Sequence, residues 1–410
     1  MLPVVVLFLC VLNCILITVC YLIIYLTNRN ALTVTIVCPC RQATAARFVA
    51  TVDGTYSFSA NIRINGTTPA MFRAMIAQNG NKDVNLGRTA INSDPSNSYD
   101  NIVIGGLFSL KKNEYVSVFV YAGSDNSWAV NHESGFSGAY VGPVNQEGFQ
   151  ADMAADSATH GTGWFRTENW RQIWSKTTSF ATATGRYTAP ADSAYLINMN
   201  ARIDSGATGY FRMITSWNNQ RDVENSMSAM DGNIASSYET FVIAGVLQLN
   251  KGDYIEQYVY SNSDNSWKVQ NQAGFSVTQL NKQSAIGFRA DKRGDQSRGT
   301  GWATISNWNT HKTLSKPLWN SGSFNTVTGT FTAPVEGIYF VSANVRFDSV
   351  CGANQRLIVS VNANRDVNNA LHVMDSEPAC DYANFHVQGF LYLKLHDSAE
   401  LCVKQAVSLS

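Results

Sequence analysis

Tyr254-Ile255-Glu256-Gln257-Tyr258-Val259-Tyr260 alternates with a period of two: Ile255, Gln257 and Val259 point one way, Tyr254, Glu256, Tyr258 and Tyr260 the other. That is the period of a β-strand, not of a helix. A shift of 139 residues finds the pattern again, as Val116, Val118 and Val120 against Tyr115, Ser117, Phe119 and Tyr121. The same shift carries Ser124-Asp125-Asn126-Ser127-Trp128 onto Ser263-Asp264-Asn265-Ser266-Trp267, and Gly135-Phe136-Ser137 onto Gly274-Phe275-Ser276. Lys82-Asp83-Val84, Arg221-Asp222-Val223 and Arg365-Asp366-Val367 are spaced by 139 and then 144. Tyr56, Tyr195 and Tyr339 keep both shifts, as do Leu110, Leu249 and Leu393. Distant anchors held in one register mean three copies of one unit. Short strands recur at ~8–12 residue intervals between Asn-Gly, Ser-Asp-Asn and Lys-Gly-Asp turns. No stretch after Leu26 carries a helical stripe, and the unit is too long for a propeller blade or solenoid turn. The predicted fold is all-β, three tandem sandwich or barrel domains.

The copies divide the chain into repeat one (46–146), which lacks its beginning, a complete repeat two (147–282), and repeat three (283–410), which lacks its end. Repeat three carries a six-residue insertion between Trp308 and Gly329. Repeat one keeps its last strand (136–141) without a first, and repeat three its first (286–291) without a last. Each edge is left unpaired, either because the chain is incomplete, the favoured account, or because the two edges complement each other. Residues 2–26 carry no charge. Such a run exceeds the ~20 residues that cross a bilayer and the ~7–15 of a signal-peptide core. It predicts a transmembrane or signal-anchor helix over 1–27, followed by a tether over 28–45. Arg29, Arg41 and Arg47 would keep the rest of the chain inside, but long domains translocate largely regardless of flanking charge.

Thirty basic and thirty acidic residues give no net charge, and only 15% of the chain is charged. A nucleic-acid partner would demand a basic face, so none is expected. Six His (132, 160, 311, 372, 386, 396) never fall at equivalent positions of the copies. No His-Glu-x-x-His, paired Cys-x-x-Cys or Gly-x-Ser-x-Gly is present, and neither a His nor a Cys recurs with the unit, as a repeated catalytic site would require. An enzyme is therefore not expected.

Thr328-Gly329-Thr330-Phe331-Thr332-Ala333-Pro334-Val335-Glu336-Gly337-Ile338-Tyr339-Phe340 closely resembles the opening signature of the C1q domain. Leu249-Asn250-Lys251-Gly252-Asp253-Tyr254-Ile255 is similar to that family's strand after a Gly-Asp turn, and Ser134-Gly135-Phe136-Ser137-Gly138 to its closing strand. The closing glycine is replaced by Val277 in repeat two. The resemblance covers about residues 46–410. It implies jelly rolls of the C1q and tumour-necrosis-factor superfamily, usually trimeric and extracellular. It also implies one intradomain disulfide with a leftover thiol, here Cys351–Cys380 with Cys402 free, although three cysteines allow three pairings. Such a bridge needs an oxidising compartment.

Several residues are candidates for function. Tyr115, Phe119 and Tyr121, and Tyr254, Tyr258 and Tyr260, put aromatic side chains opposite aliphatic ones, the pattern of a strand buried on both faces and hence an association face. Repeat three has Ser398, Glu400, Cys402 and Lys404 there. The copies are expected to self-associate, as an intrachain pseudo-trimer or a homotrimer. The loops bearing Asp125, Asn126 and Trp128, and Asp264, Asn265 and Trp267, offer oxygen ligands for calcium and an indole for a sugar. The alternative is a tight turn whose Trp caps the core. No metal is assigned, and calcium is the one cofactor considered. The Arg/Lys-Asp-Val triplet reads as a turn with a local ion pair. Asn65 begins the one N-glycosylation sequon. Together these predict a membrane-anchored or secreted extracellular recognition or adhesion protein that binds glycan, microbial-surface or protein ligands. A membrane-anchored signalling ligand of the tumour-necrosis-factor type is the second reading.

Overall fold

The alternating stretches all form strands. A computed structural model describes residues 21–27, 31–37, 47–66, 71–84, 87–92, 99–123, 128–131, 133–205, 209–221, 226–231, 238–262, 267–280, 286–292, 294–297, 299–309, 321–348, 355–367, 370–375 and 382–405. Among the described residues there is no α-helix, hence none long and apolar enough to cross a membrane. Residues 1–20, most of the predicted membrane helix, lie outside them. Tyr21–Thr27 is a strand paired with Ala31–Val37, so the expected helix does not run through those seven residues, nor is the following stretch a plain tether. Both strands are rich in β-branched residues and flank Asn28-Arg29-Asn30, a composition that favours a hairpin. Ala31–Val37 lies alongside Gly135–Gly142, the strand expected to have an open edge.

Repeat two shows the full plan of two sheets face to face. Its inner sheet runs in the order Trp170–Ser175, Gly148–Met153 (opening), Gly274–Gln279 (closing), Ser193–Ser205 (central) and Tyr238–Leu249 (partner). Its outer sheet places Tyr254–Ser261 (outer strand) between Arg186–Thr188 and Phe211–Trp217, with Met227–Asp231 (flank) at the edge. Repeat one has central Gly54–Gly66, flank Arg88–Asn92, partner Tyr99–Leu110, outer Tyr115–Ala122 and closing Gly135–Gly142. Repeat three has central Gly337–Asp348, flank Leu371–Asp375, partner Tyr382–Leu393 and outer Ser398–Gln405. Each sandwich has its own apolar core, filled in repeat two by Phe149, Tyr187, Tyr195, Phe211, Trp267 and Phe275. In repeat three the central strand is paired only with the partner strand among the described residues. Its residues are half-exposed there, whereas those of the other two central strands are buried.

The recurring anchors of the sequence are structural joints. Tyr56, Tyr195 and Tyr339 donate their hydroxyls to the carbonyls of Val52, Ala191 and Val335 at 2.8, 2.8 and 2.7 Å. Asn79, Asn218 and Asn362 adopt φ of 52°, 48° and 53°, a left-handed turn that Asn tolerates better than most residues. Their side-chain oxygens accept from the N–H groups of Tyr115, Tyr254 and Ser398 and so pin the start of each outer strand. The departure at Val277 is a volume exchange. Gly138 lies opposite Phe58 in repeat one, and Val277 opposite Ile197 in repeat two, at the same register of closing on central strand. A Cβ on Gly138 would strike the Phe58 ring.

The three sandwiches form a closed ring. The flank and partner strands of repeat one pack on the opening, central and closing strands of repeat two. Those of repeat two pack on the central and partner strands of repeat three, and those of repeat three on the central and closing strands of repeat one. The three repeats therefore contact one another within the chain. Gly105, Ala244 and Gln388 are equivalent positions near the ring's pseudo-threefold axis. The hydroxyl of Ser59 and the amide of Asn61 donate to the Gln388 carbonyl at 2.9 and 3.0 Å, and Ser342 donates to the Ala244 carbonyl at 2.7 Å. The Gln388 amide reaches across to the place where a Cβ on Gly105 would sit. His386 is buried beside it, Nδ1 lying 2.6 Å from Asn344 Oδ1.

Two predictions follow from this packing. Gly138→Val should cost about 2 kcal/mol through overpacking, and adding Phe58→Ile, the pairing of repeat two, should recover most of it in urea denaturation. Burial holds His386 down to about 4, from an ordinary value near 6.5. The folded state thus excludes the proton, and the stability it contributes is full above about pH 6.5 and lost as pH falls toward 4. Burial pushes Asp152 up to about 6 despite the pull of Arg88. That contribution has the opposite sign, complete below the ordinary carboxylate value and lost as pH rises through 6. Comparison with His386→Val, the residue of the other two repeats (Val103, Val242), isolates the histidine. The variant should lose about 3 kcal/mol less than the parent between pH 7 and pH 4.

Candidate functional site

Because the inner sheets face one another, the outer strands look away from the ring. The aromatic residues assigned to association lie there, and the closely packed contacts between repeats do not run through Tyr115–Ala122 or Tyr254–Ser261. Within the chain the association face is instead the polar side of the central strand: Ser59, Asn61 and Arg63 in repeat one, Asn198, Asn200 and Arg202 in repeat two, all at most 8% exposed. The sequence expectation named the wrong strand for contacts inside the chain. Asn61, Asn200 and Asn344, and Arg63, Arg202 and Arg346, are identical at equivalent positions in all three copies, and that identity was the available signal.

What covers the outward aromatic side chains is cationic. Arg47 lies 4.6 Å over the ring of Tyr115 and Lys82 4.7 Å over Phe119. In repeat two Arg186 lies 3.9 Å over Tyr254 and Arg221 5.5 Å over Tyr258. Arg47 and Arg186 are equivalent, as are Lys82 and Arg221, the first residues of the Arg/Lys-Asp-Val triplet. The triplet's cation therefore caps an aromatic ridge from across the sheet, a contact worth ~0.5–1 kcal/mol at an exposed site. Glu256 is fully buried between Tyr254 and Tyr258 and takes both Arg166 and Arg186 on one oxygen, each at 3.1 Å. The ridge continues as an aromatic group of three, Tyr260 with Trp164 at 5.1 Å and with Tyr210 at 5.8 Å, all half-buried. In repeat one it ends at Tyr121, 58% exposed. Repeat three lacks the aromatic rungs and has Lys404 over Trp302 at 5.6 Å, with the free thiol of Cys402 buried opposite Thr304.

The loop candidates divide. Asp125, Asn126, Asp264 and Asn265 lie outside the described residues, as do Cys351 and Cys380. Trp267 is 1% exposed, its ring against Phe211 and His160 and its Nε1 donating to the Gly161 carbonyl at 2.9 Å. It caps the core, so the stacking role assigned to it is withdrawn. Trp128 is half-buried edge-on to Phe72. Asn65 lies near the end of its central strand, opposite Tyr99 and Ala129. Among the described residues no group of three or more His, Cys, Asp or Glu could hold a metal ion.

No protein-family model matches the chain, and no curated protein matches it. Solved structures similar to part of it include the globular domain of the zebrafish complement 1qA protein, 16% identical, covering 33% of this chain and 99% of that one with a TM-score of 0.27. Murine APRIL is similar in two crystal structures, 11% and 14% identical over the same shares, with TM-scores of 0.27 and 0.25.

Proposed function

We propose that the chain is a non-enzymatic extracellular recognition or adhesion protein, membrane-anchored or secreted. Its C1q-like repeats bind glycan, microbial-surface or protein ligands. One observation carries this reading: the ring consumes the inner sheets and leaves cation-capped aromatic ridges facing outward. Half-exposed aromatic rings with flanking guanidinium groups are what binding surfaces concentrate, since they supply large contact area at low entropic cost. The ridge of repeat two is the longest and is the one we assign to ligand.

The test is binding of the full chain to immobilised glycans, bacterial surfaces and a panel of cell-surface receptors, with Trp164→Ala and Tyr260→Ala as variants. Both side chains are half-buried and outside the ring contacts, so the melting temperature should change little. Binding should weaken by about tenfold or more, the usual cost of truncating an aromatic anchor. Capture of a receptor with no glycan or bacterial binding would favour the signalling-ligand reading. Binding insensitive to both variants would move the site off this ridge.

A further inference from the structure

The three interfaces of the ring share a backbone plan and differ in their buried charges. Between repeats one and two, Arg88 Nη1 meets Asp152 Oδ1 at 2.5 Å, with 3% and 4% of the two side chains exposed. Gly274 makes room for that guanidinium, because a Cβ there would collide with it. The residue equivalent to Arg88 is Met227 in repeat two and Leu371 in repeat three. Each lies flat over a glycine of the neighbouring strand, Gly106, Gly245 and Gly389 in turn. The residue equivalent to Asp152 in repeat three is Asp291. It has an arginine from its own repeat, Arg289, with a buried Nη2, where repeat two has Gln150. Between repeats three and one the acid sits elsewhere. Glu133, beside Arg63 of its own repeat, receives Arg356 at 3.3 Å and faces His372 at 3.4 Å, both from repeat three. Its equivalent in repeat two is the neutral Gln272, which accepts from Arg202 at 2.9 Å.

We propose that the Arg88–Asp152 pair is a key that fixes which repeat docks on repeat two: this receiving face admits the flank and partner strands of repeat one and rejects those of the others. Repeat three placed against repeat two would set Leu371 against Asp152 and leave that carboxyl buried without its guanidinium. A charge stripped of its partner in a buried site is among the costlier mistakes a contact can make. The same key disfavours a trimer of repeat two alone, in which Met227 would meet Asp152.

The experiment uses the full chain in thermal melts and sedimentation velocity. Arg88→Met, which installs the residue of repeat two, should lower the melting temperature by about 10 °C. It should also produce dimers and larger species as unmatched faces find a second chain. In the D152N background the same change should cost less than half as much, because no buried charge is orphaned. The proposal fails if R88M costs as much with D152N as without it. If R88M does not accumulate as folded protein, recovery of folded protein in the D152N double variant supports the proposal and failure to recover overturns it.

Discussion

The central strand of each repeat is apolar on one side and polar on the other, and in repeats one and two both sides are buried. Tyr56, Phe58, Ala60 and Ile62 face their own core, and Ser57, Ser59, Asn61 and Arg63 face the next repeat. Polar groups taken from water are costly unless they find hydrogen-bond partners. Here the cross-repeat partners include main-chain carbonyls of the neighbouring partner and flank strands, those of Gln388, Ala244 and Thr89. Gly106, Gly245 and Gly389 let a flank-strand side chain lie flat across the sheet, and Gly105 admits the Gln388 amide. Ring closure is what supplies these partners. The same closure turns the outer strands, with their capped aromatic side chains, toward solvent.

The repeats, their strands and the turns between them were legible because they depend on local periodicity and on residues at fixed offsets. The contact face was not. A Ser/Asn side opposite an aromatic core side looks like an ordinary wet face, and nothing within one strand says that another repeat will cover it. The Tyr and Phe side of the outer strand misleads for the complementary reason. It appears to need burial by a partner, but the covering groups are Arg47, Lys82, Arg186 and Arg221, each more than 30 residues away along the chain from the ring it caps. Only comparison of the copies separates the two cases. Asn61, Asn200 and Asn344 are identical, whereas Phe119, Tyr258 and Cys402 are not.

Two smaller departures have the same origin. The loss of the closing glycine at Val277 reads as a defect until Ile197 is seen opposite it, where repeat one has Phe58. Volume is conserved across the pair rather than at the residue. The apolar N-terminal run reads as one helix by hydropathy, yet its last seven residues pair with Ala31–Val37. Hydropathy alone does not separate a spanning helix from an apolar strand. The β-branched residues on both sides of Asn28-Arg29-Asn30 carried that distinction.

A ring built from three unequal repeats is not the functional equal of a trimer of identical chains. A homotrimer offers one surface three times, and its avidity grows with ligand repetition. This chain offers an aromatic ridge ending in an exposed Tyr121, a longer one ending in Trp164, Tyr210 and Tyr260, and a face in repeat three where Lys404 and Trp302 replace the ladder. The buried contacts fix these surfaces relative to one another, so the geometry is set before any ligand arrives and little ordering is left to oppose binding. Such an arrangement suits a ligand with distinct features at fixed separation better than one with a simple repeating pattern. Divergence of the ridges is tolerable only because the hydrogen bonds that hold the ring lie on the opposite sheet, where Asn and Arg have stayed constant.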